Sequence, residues 1–126
     1  MAKASPLPEK PLHWVGSAKK DLLAFPEPVI DEFGYTLGVV QQGGVPPSAK
    51  AWKGEGPGVF ELVENYRGDT WRVAYTVRFE SAVYVLHCFQ KKSPSGVRTA
   101  KIDVELIRER LKTARADYEV RYGKKT

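Results

Sequence analysis

One cysteine, two histidines and no long apolar run leave this chain little room for several common chemistries. Cys88 alone excludes an internal disulfide and a zinc site built chiefly of thiolates, and it fits a reducing cytoplasm. No stretch approaches the roughly 18–20 apolar residues needed to span a bilayer, so no membrane partner is expected. The N-terminal MAKASPLPEKP carries lysines with no apolar stretch after them, which argues against a secretory signal. There is no metal-binding cluster, no phosphate-cradling glycine loop and no nucleophile–histidine–acid order. Neither a metal nor a small-molecule cofactor is therefore expected.

What is present is enough for one ordinary domain. The 126 residues are 42% hydrophobic and 28% charged, which suits a folded protein with a modest core. The net charge of +5 is unevenly spread. Residues 1–90 hold 9 Lys/Arg against 10 Asp/Glu, whereas residues 91–126 hold 11 against 5. All the excess positive charge follows the last apolar strand. It is either a solvated basic tail or a surface for polyanions.

Periodicity organises the rest. Residues 1–11 form a Pro- and Lys-rich flexible segment, residues 12–122 a single domain, and residues 123–126 a flexible tail. Leu12 to Val15 suits a first strand. Ser17 looks like a helix N-cap before AKKDLLAF, and Pro26 and Pro28 end that helix and open a second. Val29, Ile30, Phe33, Leu37 and Val40 then recur at helical spacing until Gly43-Gly44. Val45 to Pro57 reads as a loop carrying Lys50, Trp52 and Lys53. Three strands follow: Val59 to Tyr66, Trp71 to Phe79, and Ala82 to Gln90. The second alternates, with Trp71, Val73, Tyr75, Val77 and Phe79 on one face and Arg72, Ala74, Thr76 and Arg78 on the other. A basic loop, KKSPSGVR, leads to a last helix with Val104, Ile107, Leu111, Ala114 and Tyr118 as its apolar stripe. The fold expected is α+β: an N-terminal strand and helical hairpin packed on a mainly antiparallel four-stranded sheet, closed by a C-terminal helix.

The candidate site is cationic. Arg72 is either a surface arginine paired with Glu61 or Glu64, or a rigidly held guanidinium whose fork suits phosphate oxygens. As a surface residue it tolerates alanine at about half a kcal/mol. Lys91 and Lys92 end the third strand of the meander and point to opposite faces. They are edge protection, or one binds a phosphate while the other stabilises a leaving oxygen. His87 is an acid–base candidate or a satisfied core histidine; His13 is weaker, and Cys88 is a small core residue. Lys53 with Trp52 either offers a base-stacking platform or anchors the loop. Arg98 and Lys101, in the basic segment after the strands, are further RNA-contact candidates.

The order of these pieces is familiar. GVFELVENYRGDTWRVAY, VYVLHCFQKKSPSG and IDVELIRERLKTA resemble the phage-derived Gp49-like, HigB-type toxins of the RelE/ParE toxin–antitoxin superfamily, over roughly residues 11–118. The most specific segments are Glu61-Leu62, Trp71 to Tyr75 and His87 to Lys92. The resemblance implies a type II toxin that cleaves mRNA on the ribosome without a metal. By position, Arg72 would stabilise the phosphate, and Lys91 or Lys92 would bind substrate or assist proton transfer. Lys53 and His87 would be secondary. It also implies a cognate helix-turn-helix antitoxin as partner. ParE-side relatives inhibit DNA gyrase with a similar fold, so a non-nuclease toxin or a phage accessory binding protein is the alternative. Val63 stands where many relatives carry an arginine, and RTAKID replaces their Thr-Pro-Lys helix start, keeping Thr99 and Lys101.

Overall fold

The computed structural model describes residues 9–91 and 99–123. Its elements are β1 (Leu12–Trp14), α1 (Ala18–Leu23), α2 (Glu27–Gln41), β2 (Ala49–Ala51), β3 (Val59–Tyr66), β4 (Asp69–Thr76), β5 (Val83–Lys91) and α3 (Lys101–Tyr122). The sheet has five strands, not four, in the order β1-β5-β4-β3-β2. The added strand is β2, which lies inside the expected loop. The sheet is mixed: β1 runs parallel to β5, and the other pairs are antiparallel. Both edge strands are three residues long, which limits the exposed ladder available for unwanted pairing.

The helical hairpin starts and stops for local reasons. Pro26 caps α2 in an extended conformation, and Pro28 occupies the first turn, where its missing N–H costs nothing. At the other end Gly44 N–H donates to Val39 O, and a Cβ there would lie only 2.7 Å from Val39 Cγ1. Ser17 precedes α1 but its side chain does not cap it. Its hydroxyl instead donates to Asp21 and accepts from Arg110. The β3–β4 hairpin turns through Arg67 (φ 52°) and Gly68 (φ 84°), both left-handed, as a tight two-residue turn matched to strand twist requires. Lys10 and Pro11 belong to the ordered structure. Lys10 bonds to Gln41 in both directions, and Pro11 O accepts from Val83 N–H.

The sheet separates two apolar clusters. On one face α1 and α2 pack Leu22, Val29, Phe33 and Leu37 against Leu62, Val73, Tyr75, Val85 and Cys88. On the other, α3 packs Ile107, Leu111, Ala114 and Tyr118 against Val59, Ala74, Tyr84, Leu86 and Phe89. Fully buried side chains such as Leu37, Leu62, Leu86 and Ile107 each contribute roughly 2 kcal/mol. Of the expected apolar stripes, Val29, Phe33, Leu37 and Val40 of α2 and Ile107, Leu111, Ala114 and Tyr118 of α3 are buried, while Ile30 and Val104 are only half-buried; Thr36 joins the first, its hydroxyl donating to Glu32 O. Alternation predicts that Phe79 shares a face with Val73 and Tyr75. It does not, because β4 ends at Thr76 and Phe79 turns into the α3 cluster, stacked on Tyr118.

One irregularity interrupts the pairing of β4 with β5. Ala74 pairs with His87 but Tyr75 pairs with Val85, so Leu86 is a bulge in β5. Leu86 and His87 consequently both turn toward α3: Leu86 joins its cluster and His87 reaches Asp103. Arg110 of α3 donates to the carbonyl of the bulged Leu86 at 3.0 Å.

Candidate functional site

The α3-side face of the sheet changes character along its length. Around Tyr84 and Leu86 it is apolar and covered by α3; toward the β3–β4 hairpin it becomes charged. Alternation puts Glu61 of β3 on this face beside Val59, and Arg72 of β4 beside Ala74. The register sets Arg72 opposite Phe89, Glu61 opposite Ala74, and Lys50 of β2 opposite Glu61. Lys91, two residues beyond Phe89, ends the row.

Arg72 is not a surface residue. It is 9% exposed, and its Nη1 donates to Glu61 Oε1 at 2.6 Å. Its Nε is buried without a partner among the described residues. Of the two partners considered, Glu61 is the one the register provides. Glu64 pairs with Trp71 and shares the opposite face, where burial, with Glu32 adding to it, holds its carboxyl above the usual range. Three cations, Arg72, Lys50 and Lys91, therefore surround one carboxylate. Burial and the neighbouring Arg72 charge hold the Lys91 ammonium below its usual pKa, with Glu61 opposing and Lys50 adding to the effect. A buried, partly paired guanidinium beside a lysine that gives up its proton more readily than usual is an arrangement for meeting a phosphate.

The other candidates separate. His87 is 6% exposed, stacked on Phe89 with centroids 4.6 Å apart, and its Nε2 lies 2.7 Å from Asp103 Oδ1. A carboxylate only accepts, so Nε2 carries the hydrogen, and the buried Nδ1 is left without a partner among the described residues. His87 thus ties α3 to the edge of the charged patch from beneath. His13 lies elsewhere, 2.8 Å from Tyr122 Oη, where burial and Arg121 lower its pKa, with Asp117 opposing. Trp52 is 8% exposed within the α3 cluster, so its ring anchors the chain and is not presented for stacking. Lys53 is exposed in the turn that follows β2, and Lys101 is exposed at the start of α3, 3.9 Å from Glu105. Lys92 and Arg98 lie outside the described residues. Among the described residues no group of three or more His, Cys, Asp or Glu is placed to hold a metal, and no helix is long and apolar enough to cross a membrane.

Two members of the patch escaped the sequence reasoning. Lys50 was hidden because Ala49–Ala51 has weak strand propensity and pairs only through contacts distant in sequence. The available signal was parity, since Lys50 and Trp52 share one face while Ala49 and Ala51 share the other. Glu61 was visible as an alternative partner for Arg72 and in the Glu61-Leu62 segment, but not as a member of the site.

Comparison with known proteins adds one match. The model of the family described as Phage derived protein Gp49-like (DUF891) matches residues 20–112. No curated protein and no solved structure matches the chain. The matched span runs from within α1, through every strand that carries the charged patch, into α3, and on it the chain belongs to the phage-derived Gp49-like family.

Proposed function

We propose that this protein is a toxin of a type II toxin–antitoxin module, of RelE/ParE and HigB type, that stops translation by cleaving mRNA on the ribosome. The observation that carries the reading is the Arg72–Glu61 pair, flanked by Lys50 and Lys91 on one sheet face. Membership of the Gp49-like family and the order of the strand motifs support it.

The chemistry is transesterification within RNA. The ribose 2′-OH gives up its proton, its oxygen bonds to the adjacent phosphorus, and the P–O5′ bond breaks. The departing 5′ oxygen takes a proton, leaving a 2′,3′-cyclic phosphate and a 5′-hydroxyl. Glu61 is the carboxylate in place to accept the first proton. Arg72 neutralises the non-bridging oxygens as charge builds on them. Lys91, its ammonium made more acidic by burial and by Arg72, donates to the leaving oxygen. Lys50 sits opposite Glu61 and holds the neighbouring phosphate. A helix-turn-helix antitoxin would silence the protein by covering this face.

The test is a cell-free translation reaction with the purified protein and mapping of message ends. Cleavage within translated codons, lost in Lys91→Gln and Glu61→Gln, is expected. Intact message with normal protein synthesis would overturn the proposal, and inhibited DNA supercoiling in its place would assign the fold to the gyrase-directed class.

A further inference from the structure

A second charged concavity lies on the flank of α3, apart from the Arg72 patch. It is a cleft of about 320 Å³ between the β2–β3 loop and the helix, lined by Arg78, Arg108, Lys112 and Arg115 with Glu55 and Glu119. Residues 108, 112 and 115 follow the helical repeat, so they form one stripe on α3. The ion pair of Arg108 Nε with Glu55 Oε2, at 2.8 Å, fixes that stripe toward the loop.

The cations here are held in place but incompletely neutralised. Arg78 Nε donates to Pro57 O at 3.0 Å and its Nη2 to Glu55 O, both neutral carbonyls. The loop is moulded around it. Gly56 and Gly58 have φ of +85° and +86°, and a Cβ on Gly56 would stand 3.0 Å from Arg78 Nη2. The Arg115 guanidinium lies over the Phe79 ring at 5.5 Å. Among the described residues neither Arg78 nor Arg115 has a carboxylate partner. With four cations lining the cleft against two carboxylates, one of them already paired with Arg108, the excess positive charge attracts a small dense anion.

Position decides which anion. The β2–β3 loop that holds Arg78 connects the two strands bearing Lys50 and Glu61, so the cleft and the Arg72 patch both lie on the α3 side of the sheet. We infer that the cleft around Arg78, Lys112 and Arg115 is a second phosphate site, holding the RNA backbone several nucleotides away from the scissile phosphate. This rests on the proposed RNA-directed function, and it explains why Arg78, six residues past Arg72 and beyond the end of β4, is nonetheless held in place.

The test measures binding of the full-length protein to a fluorescent 2′-O-methyl oligoribonucleotide, which lacks the attacking hydroxyl, by anisotropy across a salt series. Lys112→Gln/Arg115→Gln changes exposed helix positions and keeps the fold, checked by circular dichroism. Two lost phosphate contacts should reduce the slope of log K against log salt by about 1.4, at about 0.7 per contact for a single strand, and weaken binding at least about fivefold. An unchanged slope, or no binding by the wild type, overturns the inference. A reduced slope from a protein that leaves message intact keeps the phosphate site and removes the ribonuclease. Cleavage with an unchanged slope does the reverse, and leaves the cleft to an acidic protein partner.

Discussion

Replacing Arg72 tests the site and the stability of the sheet together. Alanine at this position removes one half of an ion pair whose side chains are 11% and 13% exposed. Removing one partner of a buried pair costs about 3–5 kcal/mol, because the remaining charge stays desolvated. Lys50 opposite Glu61 and the nearby Lys91 offset part of the stranded carboxylate's charge, which places Arg72→Ala at the lower end, about 3 kcal/mol. That exceeds by several-fold the cost of a surface substitution. With a urea dependence of about 2 kcal/mol per molar, the midpoint should fall by about 1.5 M. Removing both charges with groups of similar shape, Arg72→Met with Glu61→Leu, should restore most of the loss, since apolar replacement of a buried pair is often neutral. Urea titration followed by circular dichroism decides the matter. A midpoint for Arg72→Ala within about 0.3 M of wild type would refute the burial argument. Activity lost in Arg72→Ala or Glu61→Gln has to be read beside that midpoint, since each breaks the same buried pair, which is why Lys91→Gln provides the cleaner test of chemistry.

Two further expectations concern groups away from the patch. Burial, with Asp21 adding to it, pushes the Cys88 thiol up to about 12, so the native protein should resist a thiol-specific reagent at neutral pH and react fully once unfolded in urea. Rapid native labelling would contradict the burial of this strand. His13 is held below its usual pKa of 6.5 by burial and Arg121, with Asp117 opposing, so the folded state favours the neutral ring. Its contribution is fully present above about pH 6.5 and is lost as pH falls from there through the lower folded value, because the unfolded chain binds the proton more readily. Urea midpoints at about pH 5.0 and 7.5 should therefore differ more for wild type than for His13→Gln, and equal differences would discount this contact.

Much of the fold was legible because it is local. The stripe Val104, Ile107, Leu111, Ala114, Tyr118 and the prolines before Val29 each encode an element within a few residues of themselves, and α3 and α2 form there. The tight turn at Arg67-Gly68 likewise writes the β3–β4 pairing into adjacent positions. β2 was not legible, since three residues of Ala-Lys-Ala become a strand only when β3 offers its edge. Arg72 showed a similar limit. Alternation gave its face, but whether that face meets water depends on Glu61, Phe89 and the strands on either side. The patch was half read for the same reason: Lys91 announces itself at a strand end, whereas Lys50 enters through pairing across a long loop.

The bulge at Leu86 constrains how such a protein can change. Upstream of it, Tyr84 faces α3 and Val85 faces the helical hairpin; downstream, Phe89 faces α3 and Cys88 faces the hairpin. The extra residue resets the strand's parity midway. Were the same residues to pair in regular alternation without the bulge, Cys88 would turn toward α3 and Phe89 and Lys91 would go to the far side of the sheet, away from Arg72, whereas deleting Leu86 itself would leave these faces unchanged. Arg110, which binds the Leu86 carbonyl, is the residue that makes the offset tolerable. The reading frame of one strand, set by one residue and pinned by one arginine, thus determines whether Lys91 shares a face with Arg72 and Lys50.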